Sequence, residues 1–143
     1  MTSVPSTVIA DILVAATVGA SGGTNDWAIY KSMQPDNPDA VVTVYDSGGQ
    51  SPNPRWKLDY PSVQILVRGK ENGYDALYAK AVAIQTALLG YPSATIGADR
   101  LVMVNQVGGI TLIGYDKKRR PEISLNYALI VEPGTSGTYR DPL

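Results

Sequence analysis

The chain contains no cysteine and no histidine among its 143 residues. The first absence excludes disulfide bonds, thiolate metal sites and cysteine nucleophiles, and the second removes the commonest general base and metal ligand. Most enzyme mechanisms and transition-metal sites therefore lack their usual groups. We expect a protein that is not an enzyme and that binds no metal and no cofactor.

Charge is also scarce, since charged residues make up 17% of the chain and the net charge is −1. Such a balance gives no overall positive field to attract nucleic acid or an anionic membrane. The longest apolar stretch, residues 8–20, is too short to cross a bilayer, contains Asp11 and lacks the basic segment of a secretory signal. We expect a protein made in the cytoplasm that has no membrane partner.

Aromatic residues are present in number, with nine tyrosines and two tryptophans. Together with the low charge they favour buried contacts between proteins, because interface cores are enriched in aromatic residues and depleted in charged ones. A length of 143 residues, 44% of them hydrophobic, suffices for one domain with an ordinary core. Composition thus indicates a single domain that assembles with other proteins.

Two helices are predicted from apolar residues at helical spacing. The first begins near Val8, and either Ser3 or Ser6 can cap its start. The second begins after Asn72 as its cap and extends to Leu89. Its apolar stripe is predicted to consist of Tyr74, Leu77, Tyr78, Ala81, Ile84 and Leu88.

Strands are predicted where β-branched and aromatic residues cluster or alternate with polar ones. The predicted strands are residues 27–33, 41–45, 62–69, 101–107, 110–115 and 123–131. Gly108-Gly109 predicts a two-residue hairpin turn between the fourth and the fifth. Residues 46–61 contain three prolines and exceed the usual connection length, which indicates either a functional loop or a disordered one.

The elements therefore follow one another in the order αβββαβββ. We expect an α+β fold in which residues 1–131 form a single domain, a mostly antiparallel sheet of about six strands with two helices packed on one face. Residues 132–143 are rich in proline, glycine, serine and threonine, and we expect an extended or flexible arm there.

Two local patterns resemble functional motifs but lack the context that the chemistry needs. Gly19-Ala20-Ser21-Gly22-Gly23 has the spacing of a nucleophile elbow, but a helix precedes it and no histidine is present to accept the serine proton. Asp36 and Asp39 could offer oxygens to calcium, but Pro38 intervenes and no glutamate follows at loop spacing. A small hydrolase or ligand-binding domain is left as the remote alternative.

Six residues are candidates for contacts with partners. Lys117, Lys118, Arg119 and Arg120 form the densest charge run, which indicates either a solvated loop or an electrostatic contact with an acidic subunit or passing DNA. Arg68 carries a donor fork that suits a carboxylate partner, and the alternative is a rim residue whose charged end reaches solvent. Trp56, between two cations in the proline-rich loop, suits an anchor on a partner surface.

One stretch of the chain carries a resemblance. Tyr60-Pro61-Ser62-Val63-Gln64-Ile65-Leu66-Val67-Arg68-Gly69 is followed by Tyr74 and a helix that ends at Leu88-Leu89-Gly90. Gly114-Tyr115-Asp116, a basic residue near Arg119 or Arg120, and the strand from Ile123 to Tyr127 come next. In order and spacing these segments resemble phage proteins described as tail terminators or minor capsid (head-tail joining) proteins.

The resemblance implies a structural virion protein of the tail or neck of a long-tailed phage. In that family a homo-oligomeric ring, usually a hexamer, caps the tail tube and joins the tail to the head. The implied partners are copies of the chain itself, the tail tube protein and a head connector or head-completion protein, with DNA only passing through the lumen. A head-completion protein of the phage neck, which shares the building plan, is the alternative function.

Overall fold

The computed structural model describes residues 3–134 and 139–142. Two helices and six strands follow one another in the predicted order αβββαβββ. The elements are α1 (Pro5–Ala15), β1 (Ala28–Lys31), β2 (Val41–Asp46), β3 (Ser62–Arg68), α2 (Tyr74–Leu88), β4 (Ala94–Ile96), β5 (Asp99–Tyr115) and β6 (Pro121–Glu132).

The six strands form one sheet in the spatial order β1-β2-β3-β6-β5-β4. β1 pairs with β2 in parallel, and the other neighbours pair antiparallel. Both helices cover the same face of the sheet, α1 over β1 and β2, and α2 over β6, β5 and β3. The predicted α+β fold, a mostly antiparallel sheet with two helices on one face, is confirmed.

The core lies between the helices and the sheet. Because successive side chains of a strand point to opposite faces, Val63, Ile65 and Val67 of β3 are fully buried against the helices, while Gln64 and Leu66 face the other way. The same alternation buries the odd-numbered side chains of β6 from Ile123 to Val131. One face of the sheet is thereby covered by the helices, while Gln64 and Leu66 on the other face are half-buried.

The start of α1 is held differently from the prediction. Pro5 is the first helical residue and Val4 precedes it without a side-chain cap, so neither Ser3 nor Ser6 caps the helix. Instead, the backbone N–H and the hydroxyl of Ser6 both donate to the carboxylate of Asp46, each at 2.8 Å. A carboxylate from the end of β2 thus satisfies a free N–H of the helix and complements its dipole.

The predicted stripe of α2 is correct at four positions and wrong at two. Leu77, Ala81, Ile84 and Leu88 are fully buried, whereas Tyr74 and Tyr78 are 37% and 44% exposed. Asn72 does not cap α2 either, since Gly73 occupies the N-cap position and no side-chain hydrogen bond is made there. The two tyrosines lie on the side of α2 that faces β5, where no further element covers them in the described part of the chain.

The predicted hairpin at Gly108-Gly109 is wrong, because residues 101–107 and 110–115 belong to one strand, β5. Both halves pair with β6 along the same edge, with Val107 opposite Asn126 and Thr111 opposite Ser124. The extra residues form a bulge, and Gly108 adopts the positive φ of 74° that a bulge favours. The hairpin lies earlier in the chain, where β4, which the sequence did not predict, pairs with the first residues of β5.

Candidate assembly surface

A cluster centred on two buried arginines joins the end of β3 to the start of β6. It consists of Arg68, Arg120, Asp36, Asp39 and Asp116. Arg68 is the last residue of β3 and Arg120 immediately precedes β6, and these positions are neighbours because the two strands pair antiparallel. Arg68 is 3% exposed and Arg120 is 5% exposed.

Arg120 is the centre of the cluster. Its Nε donates to Asp116 Oδ2 at 2.7 Å, its Nη1 to Asp39 Oδ1 at 3.0 Å and its Nη2 to Asp36 Oδ1 at 3.0 Å. Burial acts to lower the pKa of Arg120, but the hydrogen bonds to the three carboxylates outweigh it and raise that pKa. The guanidinium therefore stays charged and links the loop that carries Asp36 and Asp39 to the sheet.

Arg68 binds the same loop through its backbone. Its Nε donates to the carbonyl of Asp39 at 2.8 Å, and its Nη2 donates to the carbonyls of Pro38 at 2.7 Å and Asp36 at 3.2 Å. The predicted carboxylate partner is thus wrong, since these acceptors are three peptide oxygens. Burial, followed by repulsion from Arg120, lowers the pKa of Arg68.

The basic run at residues 117–120 lies in the turn between β5 and β6, and its four side chains have different surroundings. Asp116 Oδ1 accepts from the backbone N–H groups of Lys118 and Arg120, which fixes the turn. The side chain of Lys118 donates to Asp36 Oδ2 at 2.6 Å, while Lys117 and Arg119 are exposed. Arg119 has a φ of 61°, a left-handed conformation that side chains other than glycine and asparagine seldom adopt.

Trp56 lies in the long loop, residues 47–61. It is 38% exposed, and the guanidinium carbon of Arg55 lies 5.1 Å from its ring centroid. Asn53 orients this part of the loop because its Oδ1 accepts from the backbone N–H groups of Arg55 and Trp56, each at 2.8 Å. Part of the ring is therefore presented to solvent from an ordered turn, which leaves its predicted role as an anchor open to test.

The end of the chain lies against the same loop. Lys57 N donates to Asp141 O at 2.8 Å, and Asp141 N donates to Arg55 O. Arg140 Nη1 donates to Asp59 Oδ1 at 2.8 Å. Arg140 and Asp141 of the predicted arm thus contact the domain, while residues 135–138 and 143 lie outside the described residues.

A second exposed surface was missed by the sequence reasoning, and we call it the β5 surface. It is formed by β5 and the adjacent side of α2, with Met103 and Val107 on the face of the sheet that points away from the helices. Its large apolar side chains are between 37% and 62% exposed. They are Met103, Val107, Leu112, Ile113 and Tyr115 of β5 and Tyr74, Tyr78 and Val82 of α2.

The signal for this surface is present in the sequence. Residues 101–115 contain no charged residue and no proline. The predicted hairpin at Gly108-Gly109 made this stretch look protected, because two short strands that pair with each other would each have one edge covered. A shallow cavity of about 580 Å³, lined by residues that include Tyr74, Tyr115 and Arg119, connects the β5 surface to the basic turn.

Within residues 3–134 and 139–142, no group of three or more histidine, cysteine, aspartate or glutamate side chains is arranged so that it could hold a metal ion. Asp36 and Asp39, which could have offered oxygens to calcium, face Arg120 instead. In the same part of the chain, no helix has the length and apolar character needed to span a membrane.

The fold is similar to that of a chain in the solved structure of the virion of a native gene transfer agent (GTA) particle. The TM-score is 0.55 at 19% sequence identity, and the match covers 87% of this chain and 84% of that one. A search of curated proteins found no significant match. The family model described as bacteriophage tail terminator protein matches residues 10–133, so this chain belongs to the bacteriophage tail terminator family and is a structural tail protein of the phage particle.

Proposed function

We propose that the protein closes a homo-oligomeric ring, with six copies as the expected number, on the last ring of the phage tail tube. The ring stops tube growth and presents its other face to a head connector or head-completion protein. The observation that carries this proposal is the family match over residues 10–133, which spans the second half of α1, all of α2 and the whole sheet.

The geometry supports an assembling protein rather than an enzyme. The serine of the elbow-like motif, Ser21, lies in a turn whose backbone pairs with β1, and it has no histidine to activate it. The β5 surface is apolar and exposed, as is typical of surfaces that are covered in an assembly. Ring closure needs two different contact patches on each subunit, and this surface is suited to be one of them.

The polar candidates have separate roles in this proposal. Trp56, Lys117 and Arg119 are exposed, and we assign them to contacts with a neighbouring subunit, the tube or passing DNA. Arg68 and Arg120, with Lys118 at the rim, act indirectly by fixing the loop that contains Asp36 and Asp39. Charge reversal at Arg68 should therefore disturb assembly more than the same change at Lys118.

The proposal is tested by adding the purified protein to tail tube subunits while they polymerise. Negative-stain images are expected to show a ring at one end of each tube and a shorter, narrower distribution of tube lengths. The control is a heat-denatured sample at equal concentration. If the folded protein leaves the length distribution unchanged and instead binds isolated heads, it is a head-completion protein and the terminator proposal fails.

A further inference from the structure

The sheet has a long unpaired edge on β5. β4 pairs only with residues 99–101, so the outer edge of residues 102–115 has no strand beside it in the described part of the chain. At about 3.4 Å per residue, this edge is roughly 48 Å long. Along it, backbone N–H and C=O groups that point away from β6 are available to another strand.

Natural proteins usually protect such an edge with charged residues, proline, bulges or a short strand. β5 has neither a charge nor a proline between residues 101 and 115. The only one of these protections that β5 shows is a set of three register shifts, or bulges, in its pairing with β6. An edge this long and this weakly guarded would promote aggregation if it stayed open, so it is suited to be covered in the working state.

The opposite edge of the sheet is partly occupied by the chain itself. Ser21 forms a parallel bridge to Ile29 of β1, with Ile29 N donating to Ala20 O at 2.8 Å and Gly22 N donating to Ile29 O at 2.9 Å. The segment before β1 thus pairs with it, and β1 itself has only four residues. Of the two edges, β5 is therefore the one able to take an added strand.

We propose that the outer edge of β5 binds an extended segment of a second copy of this chain, so that the sheet continues from one subunit into the next. This rests on the proposed ring, in which every subunit needs a permanent contact with its neighbour. Permanent contacts are larger and more apolar than transient ones, and the β5 surface has that character. Its side chains on β5 carry no charge to attract DNA, and Tyr74 of α2 lines a cavity together with Tyr115 of β5, which adds aromatic contacts beside the strand.

The dimensions agree with a contact between subunits. A strip about 48 Å long and about 10 Å wide, the thickness of one packed layer, covers roughly 480 Å². The exposed side chains of α2 add to that area, which approaches the roughly 800 Å² per partner of a stable interface. Backbone pairing supplies the affinity and the alternating side chains supply the register.

The first test introduces a lysine at the edge. Val107→Lys and Ile113→Lys place a charge at side chains that are 55% and 54% exposed, so both variants should fold. Met33→Lys, at a side chain 76% exposed in a loop, is the matched control. Light scattering and negative-stain imaging, with and without tail tubes, should show rings for the wild type and the control and at least a tenfold smaller assembled fraction for the edge variants.

Hydrogen exchange provides a second, backbone-level measurement on the unmodified protein. Amides of residues 102–115 that exchange rapidly in the monomer should become protected on assembly. Rings that form with these amides still unprotected, or edge variants that assemble like the wild type, would overturn the proposed pairing while leaving the ring intact. A wild-type protein that stays monomeric even beside tail tubes would overturn both this pairing and the proposed function.

Discussion

Arg120 binds Asp36 twice across a separation of 84 residues, through Nη2 to the carboxylate at 3.0 Å and through Nη1 to the carbonyl oxygen at 2.7 Å. The guanidinium is 6% exposed, so its charge is compensated by partners rather than by water. The loop that carries Asp36 therefore depends on Arg120 for its position.

We predict that Arg120→Met lowers the free energy of unfolding by about 2 kcal/mol, because its charge-assisted hydrogen bonds are lost while the exposed carboxylates of Asp36 and Asp39 can be hydrated instead. Urea unfolding followed by circular dichroism measures the change. Lys117→Met is the control, because Lys117 is exposed and its loss should stay within about 0.5 kcal/mol. Equal effects of the two substitutions would contradict the structural role of Arg120.

Acid should loosen the same cluster. Hydrogen bonds from Lys118 and then Arg120 lower the pKa of Asp36, and at Asp116 bonds from Arg120 lower the pKa against the opposing effect of burial. A carboxylate with a depressed folded pKa contributes stability that is complete above its unfolded pKa of about 3.9 and is lost as the pH falls through the folded value. We predict a loss of stability as the pH drops below about 4.

The comparison variant for the acid effect is Asp116→Asn. It should be less stable than the wild type at pH 6, because the charged bond to Arg120 Nε is gone. It should also lose less stability between pH 5 and pH 3, since one titrating group has been removed. Parallel curves for the two proteins over this range would show that Asp116 does not contribute to the acid response.

Local sequence patterns predicted where the helices and strands lie better than they predicted which elements pair with each other. The alternation along β3 and β6 and the spacing of Leu77, Ala81 and Ile84 identify the core because they depend on residues close in sequence. The hairpin at Gly108-Gly109 failed because a bulge and a turn use the same left-handed glycine. Only the long partner strand β6 decides between them.

The candidate contact residues show the same limit. The sequence identified Arg68 and Arg120 as unusual cations, but could not show that the loop of residues 36–39 folds over them, since that contact joins residues about 30 and 80 positions apart. For the same reason the exposed edge of β5 was not predicted. Whether a strand edge is covered depends on the whole sheet order.

The glycine pair in the long loop offers a matched comparison. A Cβ on Gly49 would lie 2.1 Å from the carbonyl oxygen of Tyr60 and 2.7 Å from the backbone nitrogen of Ser62, whereas a Cβ on Gly48 would meet nothing within 4 Å. Both glycines have positive φ, so alanine at either position costs about 1–2 kcal/mol in backbone strain. Gly49→Ala should cost a further 1–3 kcal/mol or so from overpacking.

Thermal unfolding of the two alanine variants measures this difference directly. Gly49→Ala is expected to melt several degrees below Gly48→Ala, because the added methyl group must displace the backbone that leads into β3. If both variants melt at the same temperature, residues 47–49 are not held against Tyr60 as described.

Alkaline pH should destabilise the protein through Tyr127. This side chain is fully buried, and burial raises its pKa to about 12. Because the folded protein favours the neutral phenol, the corresponding stability is complete below the unfolded pKa of about 10 and is lost as the pH rises from 10 towards 12. Tyr127→Phe should therefore lose less stability than the wild type between pH 9 and pH 11.5.

At neutral pH the same variant should differ little from the wild type. The hydroxyl donates to Gln106 Oε1 over 3.4 Å, a long bond whose loss should cost less than about 1 kcal/mol. Urea titrations at each pH measure both effects. Identical alkaline losses in the two proteins would show that the phenol of Tyr127 does not govern this transition.

Arg119 allows stability and assembly to be separated. Its left-handed conformation costs about 1–2 kcal/mol in a residue with a side chain, and the greater freedom of glycine in the unfolded chain offsets part of the gain from replacing it. Arg119→Gly should therefore raise the melting temperature slightly. If the guanidinium contacts a partner, the same variant should cap tail tubes several-fold less efficiently, although it is more stable.

Arg119→Lys is the control for this last prediction, because lysine keeps both the charge and the cost of the left-handed backbone. Its melting temperature should equal that of the wild type, and its capping activity should lie well above that of Arg119→Gly. The measurement is the distribution of tube lengths in negative-stain images at equal protein concentration. A glycine variant that is more stable and caps tubes as well as the wild type would show that the Arg119 side chain makes no contact with a partner.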